Sequence, residues 1–262
     1  MTGGIDESPQ EKEARRFFEE GLHLIVVRVP SATLKTPDFF VDGETPGYVV
    51  EVKSRFDDKD FLEELELGAT AVRGRALGHA RWTEDNARSA RKQMLRCDIG
   101  RKRFWILWFA IECLSSTDAM FNQLIGTLYG VRQVAYWDEA TQQNHGRECL
   151  FAVPGVFERW PDLDGAIVTV GDAITLCANE FSEKAGLFQS SKLYKSFAQR
   201  GGPVSASDLE ANRGFLSIAD RSIDRRNENV VRHYLSQRYC LKGVHILNIE
   251  AYSASVVLTR DA

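Results

Sequence analysis

Apolar residues recur at helical spacing from Glu11 to Leu22, where Ala14, Phe17, Phe18 and Leu22 share a face and Gly21 marks a stop. LIVVRV follows and reads as a buried strand. Residues 36–55, TPDFFVDGETPGYVVEVKSR, then give two apolar strands about a turn in which Asp42-Gly43 and Pro46-Gly47 reverse the chain. Downstream, DDKDFLEELELGATAVRG and TEDNARSARKQMLRC read as helical. RFWILWFAIECL is a second strongly buried strand and DAMFNQLIGTLYGV a further helix. ECLFAVPGVF and AIVTVGDAITL supply later strands. Glycine and proline in QRGGPVSASD, residues 199–208, mark a boundary. Beyond it come two or three short polar helices and a strand pair, GVHILNIEAYSASVVLT.

This order predicts an α/β sandwich, a mixed sheet with helices packed on it. Residues 1–10 read as a flexible tail, 11–198 as the sandwich domain and 199–262 as a mainly helical C-terminal region. That last region has the element order of a winged helix, which could hold DNA through Arg221, Arg225, Arg226 and Arg232. A helical cap on the core or a dimer contact fits the same residues.

The 262 residues are 44% hydrophobic and 27% charged, an ordinary globular balance, and allow a sizeable core. No apolar run is long enough to span a membrane, and the acidic, polar N-terminus is unlike a secretory signal. Five scattered cysteines without a CxxC pair argue against a disulfide framework or a structural zinc site, so a reducing cytosol is the expected compartment.

Three charges stand out in the hairpin: Asp38, Glu51 and Lys53. Strand alternation sends Glu51 and Lys53 to one face and Val50 and Val52 to the other, and Asp38 can approach Glu51 across the strands. Two carboxylates held together repel unless a cation or proton lies between them. Oxygen ligands of this kind suit Mg²⁺ or Mn²⁺, and a neighbouring lysine can orient water or offset developing negative charge. The plainer reading makes Asp38 a turn residue and Glu51–Lys53 an exposed pair of almost no energetic weight. The three together, interleaved with apolar residues behind a proline, favour the site.

PDFFVDGETPGYVVEVK resembles the core of the PD-(D/E)XK nuclease superfamily, with Pro37-Asp38 as its first half and Glu51-Val52-Lys53 as its second. With RVPSA before it, the stretch is similar to archaeal-type Holliday junction resolvases, which carry a glutamate on a preceding helix. Glu11, three residues before Ala14, matches that glutamate, with Glu13 as the competitor; acids are favoured at a helix start in any case. The resemblance implies a restriction-endonuclease-like α/β/α sandwich and a Mg²⁺ or Mn²⁺ ion on Asp38, Glu51 and the Val52 backbone carbonyl. It further implies Lys53 beside the attacking water and Glu11 completing the catalytic set. The substrate would be nucleic acid, DNA before RNA, in defence or repair, with a homodimer as one possible form. The motif spans residues 11–55 and its pattern extends to 112, leaving 113–262 unexplained. A binding subunit that has lost activity and an RNA-cleaving toxin are the alternatives.

Charge distribution adds a substrate face. Residues 73–103 hold ten Lys/Arg against three acids, a local +7 in a chain of −4. Arg88, Lys92 and Arg96 fall four apart on one helical face, and Arg101, Lys102 and Arg103 follow; a phosphate backbone is what such a block can neutralise. Trp82 and His79 could add stacking. Gln93 has the place of a polar residue found after the lysine in some superfamily members.

Overall fold

The computed structural model describes residues 6–30, 35–57, 59–67, 71–76, 80–113, 117–139, 141–200, 202–247 and 252–257. Helix α1 (Pro9–Arg16) is started by Ser8, whose hydroxyl accepts from the Glu11 amide while the Glu11 carboxylate accepts from the Ser8 amide. A π-helical turn (Phe17–Gly21) continues it, followed by β1 (Ile25–Arg28), β2 (Phe39–Asp42) and β3 (Tyr48–Phe56). After α2 (Lys59–Glu66), β4 (Ala71–Ala76) and α3 (Arg81–Cys97) comes β5 (Phe104–Glu112). The middle of the chain holds α4 (Thr117–Tyr129), β6 (Arg132–Asp138), β7 (Gln143–Leu150), α5 (Val156–Arg159), β8 (Gly165–Val170) and β9 (Ala173–Ala178). The rest holds α6 (Ala185–Gln189), α7 (Lys192–Ala198), α8 (Ala206–Arg213), β10 (Leu216–Ser217), α9 (Glu228–Tyr239), β11 (Lys242–Leu247) and β12 (Tyr252–Val257). No helix among the described residues is long and apolar enough to cross a membrane.

The chain folds as two compact units. The first comprises Met1–Asp57, Asp85–Cys113 and Pro161–Pro203, and the second Asp58–Glu84, Leu114–Trp160 and Val204–Ala262. The first is built on a six-stranded mixed sheet of order β1-β2-β3-β5-β8-β9, parallel across β3-β5-β8 and antiparallel elsewhere. Central β5 is buried on both faces at every position but Glu112, as a strand inside a parallel sheet must be. Its residues Phe104, Ile106, Trp108 and Ala110 pack with Val50 and Val52 of β3, Phe18 of the π turn and Leu193 of α7. Each large side chain buried there contributes about 1.5–3 kcal/mol.

LIVVRV is not the fully buried strand its composition suggests. Only Ile25–Arg28 is extended, at the outer edge of the sheet, and Ile25 and Val27 remain 64% and 48% exposed on one face. Arg15 donates to the Val26 carbonyl at 3.0 Å, occupying a backbone acceptor of that edge.

The β2–β3 hairpin needs a glycine at its re-entry point. A Cβ at Gly47 would lie 2.4 Å from the Val41 carbonyl oxygen, closer than any real contact. Gly47→Ala is expected to lower stability by about 1–3 kcal/mol, read as a reduced urea midpoint at unchanged slope. An unchanged midpoint would mean the turn relaxes freely.

The second unit contains a four-stranded sheet, β10-β7-β6-β11, and a separate ribbon, β12-β4. Tyr129 anchors its core, with ring centroids 5.6 Å from Phe151 and 5.1 Å from Phe157, and its hydroxyl donates to the Val204 carbonyl at 2.7 Å. The helical reading of DDKDFLEELELGATAVRG holds only through α2; residues 71–76 are strand because they pair with β12. The two C-terminal strands do not pair with each other, since β11 joins β6 and β12 joins β4. Arg225, expected at a DNA face, is buried. It donates to the carbonyls of Phe151 (3.0 Å), Ile218 (2.7 Å), Asp220 (3.1 Å) and Ile223 (3.2 Å) and pairs with Glu158 at 3.2 Å.

Candidate metal centre

β2 stops while β3 runs on, and that mismatch builds the site. The ladder pairs Phe39 with Val50, and beyond it Asp38 reaches across with its side chain. Its Oδ2 accepts the Val52 amide at 2.7 Å, taking the place of the missing backbone rung. A residue's N–H and C=O face the same edge of its strand, so the Val52 carbonyl is turned toward the same gap. Pro37, buried just before, fixes the entry of the strand.

Alternation along β3 sends Val50 and Val52 into the apolar cluster and Glu51 and Lys53 to the opposite face. That face is also covered, and Glu51 is only 2% exposed. Its Oε1 accepts from the Lys53 ammonium and, at 2.9 Å, from Gln93 Nε2 of α3. Its Oε2 is fully enclosed and has no hydrogen-bond partner among the described residues. An unpartnered buried polar atom costs about 1–3 kcal/mol, more when charged, so this oxygen calls for a proton or a cation.

The electrostatics of the pair agree. Burial, and then the charge of Glu51, push the Asp38 carboxyl up to about 8, against the pull of the Val52 amide and Lys53. Burial likewise raises Glu51 despite Lys53 and Gln93. Glu11 raises Asp38 a little further, and its carboxylate lies 3.4 Å from Arg28 Nη2. Burial, and then the charge of Glu112, raise the Glu13 carboxyl against Arg16, and of the two helix acids only Glu11 acts on Asp38.

Among the described residues, no three His, Cys, Asp or Glu side chains form a group able to hold an ion by themselves. Two carboxylates, a backbone carbonyl and water are the set Mg²⁺ ordinarily takes, so the donors fit a hard divalent ion and not a closed protein cage. A pH dependence follows. Asp38 keeps a proton in the fold where the unfolded chain has lost it, so its contribution to stability falls as pH rises from about 4 to about 8. The melting temperature of EDTA-treated protein should decline across that window. Millimolar Mg²⁺ should recover more at pH 8 than at pH 5, and Asp38→Asn should flatten both trends. An equal Mg²⁺ gain at both pH values would sink this account.

Arg88, Lys92 and Arg96 lie exposed on α3, on the side away from buried Ala87, Ala90 and Met94. The helix that holds Gln93 against Glu51 therefore also carries the basic stripe. Arg88 is 3.3 Å from Asp85. Arg101 and Arg103 are engaged elsewhere: Arg101 pairs with buried Asp164 at 2.7 Å, and Arg103 pairs with Asp42 at 3.0 Å over the Phe40 ring. Both precede β5, whereas Glu51 and Lys53 stand opposite Leu107 and Phe109 farther along it. Lys102 is exposed between them. The structure thus gathers Glu11, Asp38, Glu51, Val52 and Lys53, places the basic stripe on the exposed face of the helix whose Gln93 contacts Glu51, and leaves Arg101 and Arg103 in ion pairs elsewhere. Trp82 falls in the first turn of α3, and His79 lies outside the described residues. Gln93 was legible only by its place, and Arg28 carried no signal of its contact with Glu11. Comparisons with family models, with curated proteins and with solved structures each found no match.

Proposed function

We propose that this chain is a divalent-metal-dependent nuclease with a restriction-endonuclease-like core, of the PD-(D/E)XK kind that its hairpin resembles. The observation that carries the reading is the enclosed, unpartnered Oε2 of Glu51 beside a second carboxyl, Asp38, raised by burial and by that charge. Asp38, Glu51 and the Val52 carbonyl hold Mg²⁺ or Mn²⁺. Bound there, the ion supplies Lewis acidity toward a phosphate oxygen and a lowered pKa for a coordinated water. The Val52 amide fixes Asp38, and Gln93 fixes Glu51. Lys53 orients the attacking water and meets the negative charge that builds on the phosphoryl oxygens in the in-line displacement. Glu11 braces Asp38. Arg88, Lys92 and Arg96, about 6 Å apart along their helix, neutralise successive backbone phosphates.

DNA is preferred over RNA because the resemblance is to DNA-cutting families, and a cytosolic role in defence or repair rests on the same likeness. A homodimer is compatible with that role. α8 and α9 read better as a helical cap than as a winged helix, because β11 and β12 pair with other strands.

The test is cleavage of supercoiled plasmid, linear duplex, single-stranded DNA and RNA with Mg²⁺, Mn²⁺ or EDTA. Lys53→Met is expected to lose about 100-fold or more in rate while substrate binding persists. Wild type and variant that are equally inert, yet both bind DNA, would replace the nuclease by a binding subunit. Cutting of RNA alone would favour the toxin.

A further inference from the structure

In the second unit β7 has an unfinished edge. On one side it pairs with β6 from Gln143 to Cys149, but on the other β10 meets only Cys149 and Leu150. Residues 143–148 have no second strand partner among the described residues, and all but half-buried His145 are exposed. The Ile218 amide donates to the Leu150 carbonyl at 3.1 Å, so the Leu150 backbone faces the β10 side. Alternation turns the N–H and C=O of Gly146 and Asn144 to that same open side. An edge of unpaired backbone groups is a template for another chain.

The edge opens into a groove. Ahead of β10 the amides of Gly214, left-handed at φ 68°, and Phe215 bond back to the Leu209 carbonyl of α8, away from β7. The gap, about 400 Å³, lies between Gly146–Glu148 and Arg213–Phe215. A Cβ at Gly146 would meet nothing within 4 Å, so the fold itself makes no demand for glycine there. Glycine within a strand costs about 0.5–1 kcal/mol against alanine and marks places where another backbone approaches closely. The mouth is positive. Arg147, over the Tyr136 ring at 5.7 Å, and Arg213 form no ion pair among the described residues. The one acid of the lining, Glu148, already accepts from Gln133 at 3.3 Å.

We infer that this edge takes an extended, acidic segment of a partner protein as an added strand. The segment's backbone pairs with Gly146 and Asn144, and its carboxylates meet Arg147 and Arg213. A phosphate backbone matches the arginines but supplies no N–H for the Gly146 carbonyl, which sets the peptide apart from it. The inference does not rest on the nuclease reading.

The experiment is fluorescence anisotropy of the full chain with a labelled peptide alternating threonine with glutamate. One control is the threonine–lysine peptide. The other is the acidic peptide N-methylated at every amide, which keeps the charge and removes the donors. Only the unmodified acidic peptide should bind. Arg147→Gln with Arg213→Gln, at exposed positions, should weaken binding about tenfold or more and reduce its salt dependence. Gly146→Pro removes an N–H that β6 does not use, so the melting temperature should hold while binding falls about tenfold or more. Equal binding of the N-methylated peptide, or wild-type affinity in the double variant, would overturn the inference. So would displacement by a single-stranded oligonucleotide as effective as by unlabelled peptide, which makes this a phosphate site. A concentration-dependent dimer in sedimentation that Gly146→Pro abolishes would also overturn it, by making the edge a contact between copies.

Discussion

Replacing Glu51 with glutamine should abolish metal-dependent cleavage and yet leave the protein as stable as wild type, or more so. The loss is set at about three orders of magnitude, equivalent to about 4 kcal/mol of transition-state stabilisation, since the amide can no longer share a cation with Asp38. The stability half follows from the same atom. Glu51 Oε2 is buried without a partner beside a carboxyl that its charge already perturbs. A neutral amide of the same shape ends that repulsion and keeps an acceptor for Gln93. The ion pair with Lys53 is lost, but the lysine side chain, 22% exposed, keeps access to water when its partner is neutral. Cleavage assays and thermal melts on one preparation read both quantities. Activity lost through unfolding would make Glu51 a structural residue, and retained activity would remove the carboxylate pair from the chemistry. A site that costs stability is what function predicts of it.

Arg225→Met should have the largest effect on folding, a loss of about 3–5 kcal/mol. The guanidinium, 7% exposed, closes four backbone carbonyls and Glu158 at once. Methionine fills the volume of the stem but leaves those acceptors without donors, the costly half of breaking a buried pair. Urea denaturation should show the drop, with a fall in melting temperature of roughly 6–20 °C. Arg226→Ala, one residue along and exposed, should stay within about 0.5 kcal/mol of wild type. Similar effects at both positions would mean Arg225 holds the second unit no more than a surface charge does.

The contrast between these residues shows what could be read in advance. Asp38, Glu51 and Lys53 were legible because a hairpin is local: turn residues fix the reversal, alternation fixes the faces, and a short stretch contains all three. β5 and the β8–β9 pair were legible because buried strands are continuously apolar. Arg101 and Arg225 were not, because a charge that closes a remote carbonyl or pairs with Asp164 looks in sequence like any other surface charge. β4 misled for a related reason. Its six residues follow a helix without a strong break, and only pairing with β12, near the far end of the chain, makes them strand.

Each unit is assembled from three stretches that alternate along the chain. The order of synthesis therefore departs from the order of assembly. The hairpin with Asp38 and Glu51 leaves the ribosome first, but α3 and β5 come later. β8, β9 and α7 emerge only after the middle stretch of the other unit has been made. At 5–20 residues per second the nascent hairpin waits on the order of ten seconds for the strands that bury it. Neither core can close until translation has passed Pro203 or gone beyond it, so the usual sequence of N-terminal domain first is closed to this chain, and no single cut releases either unit whole.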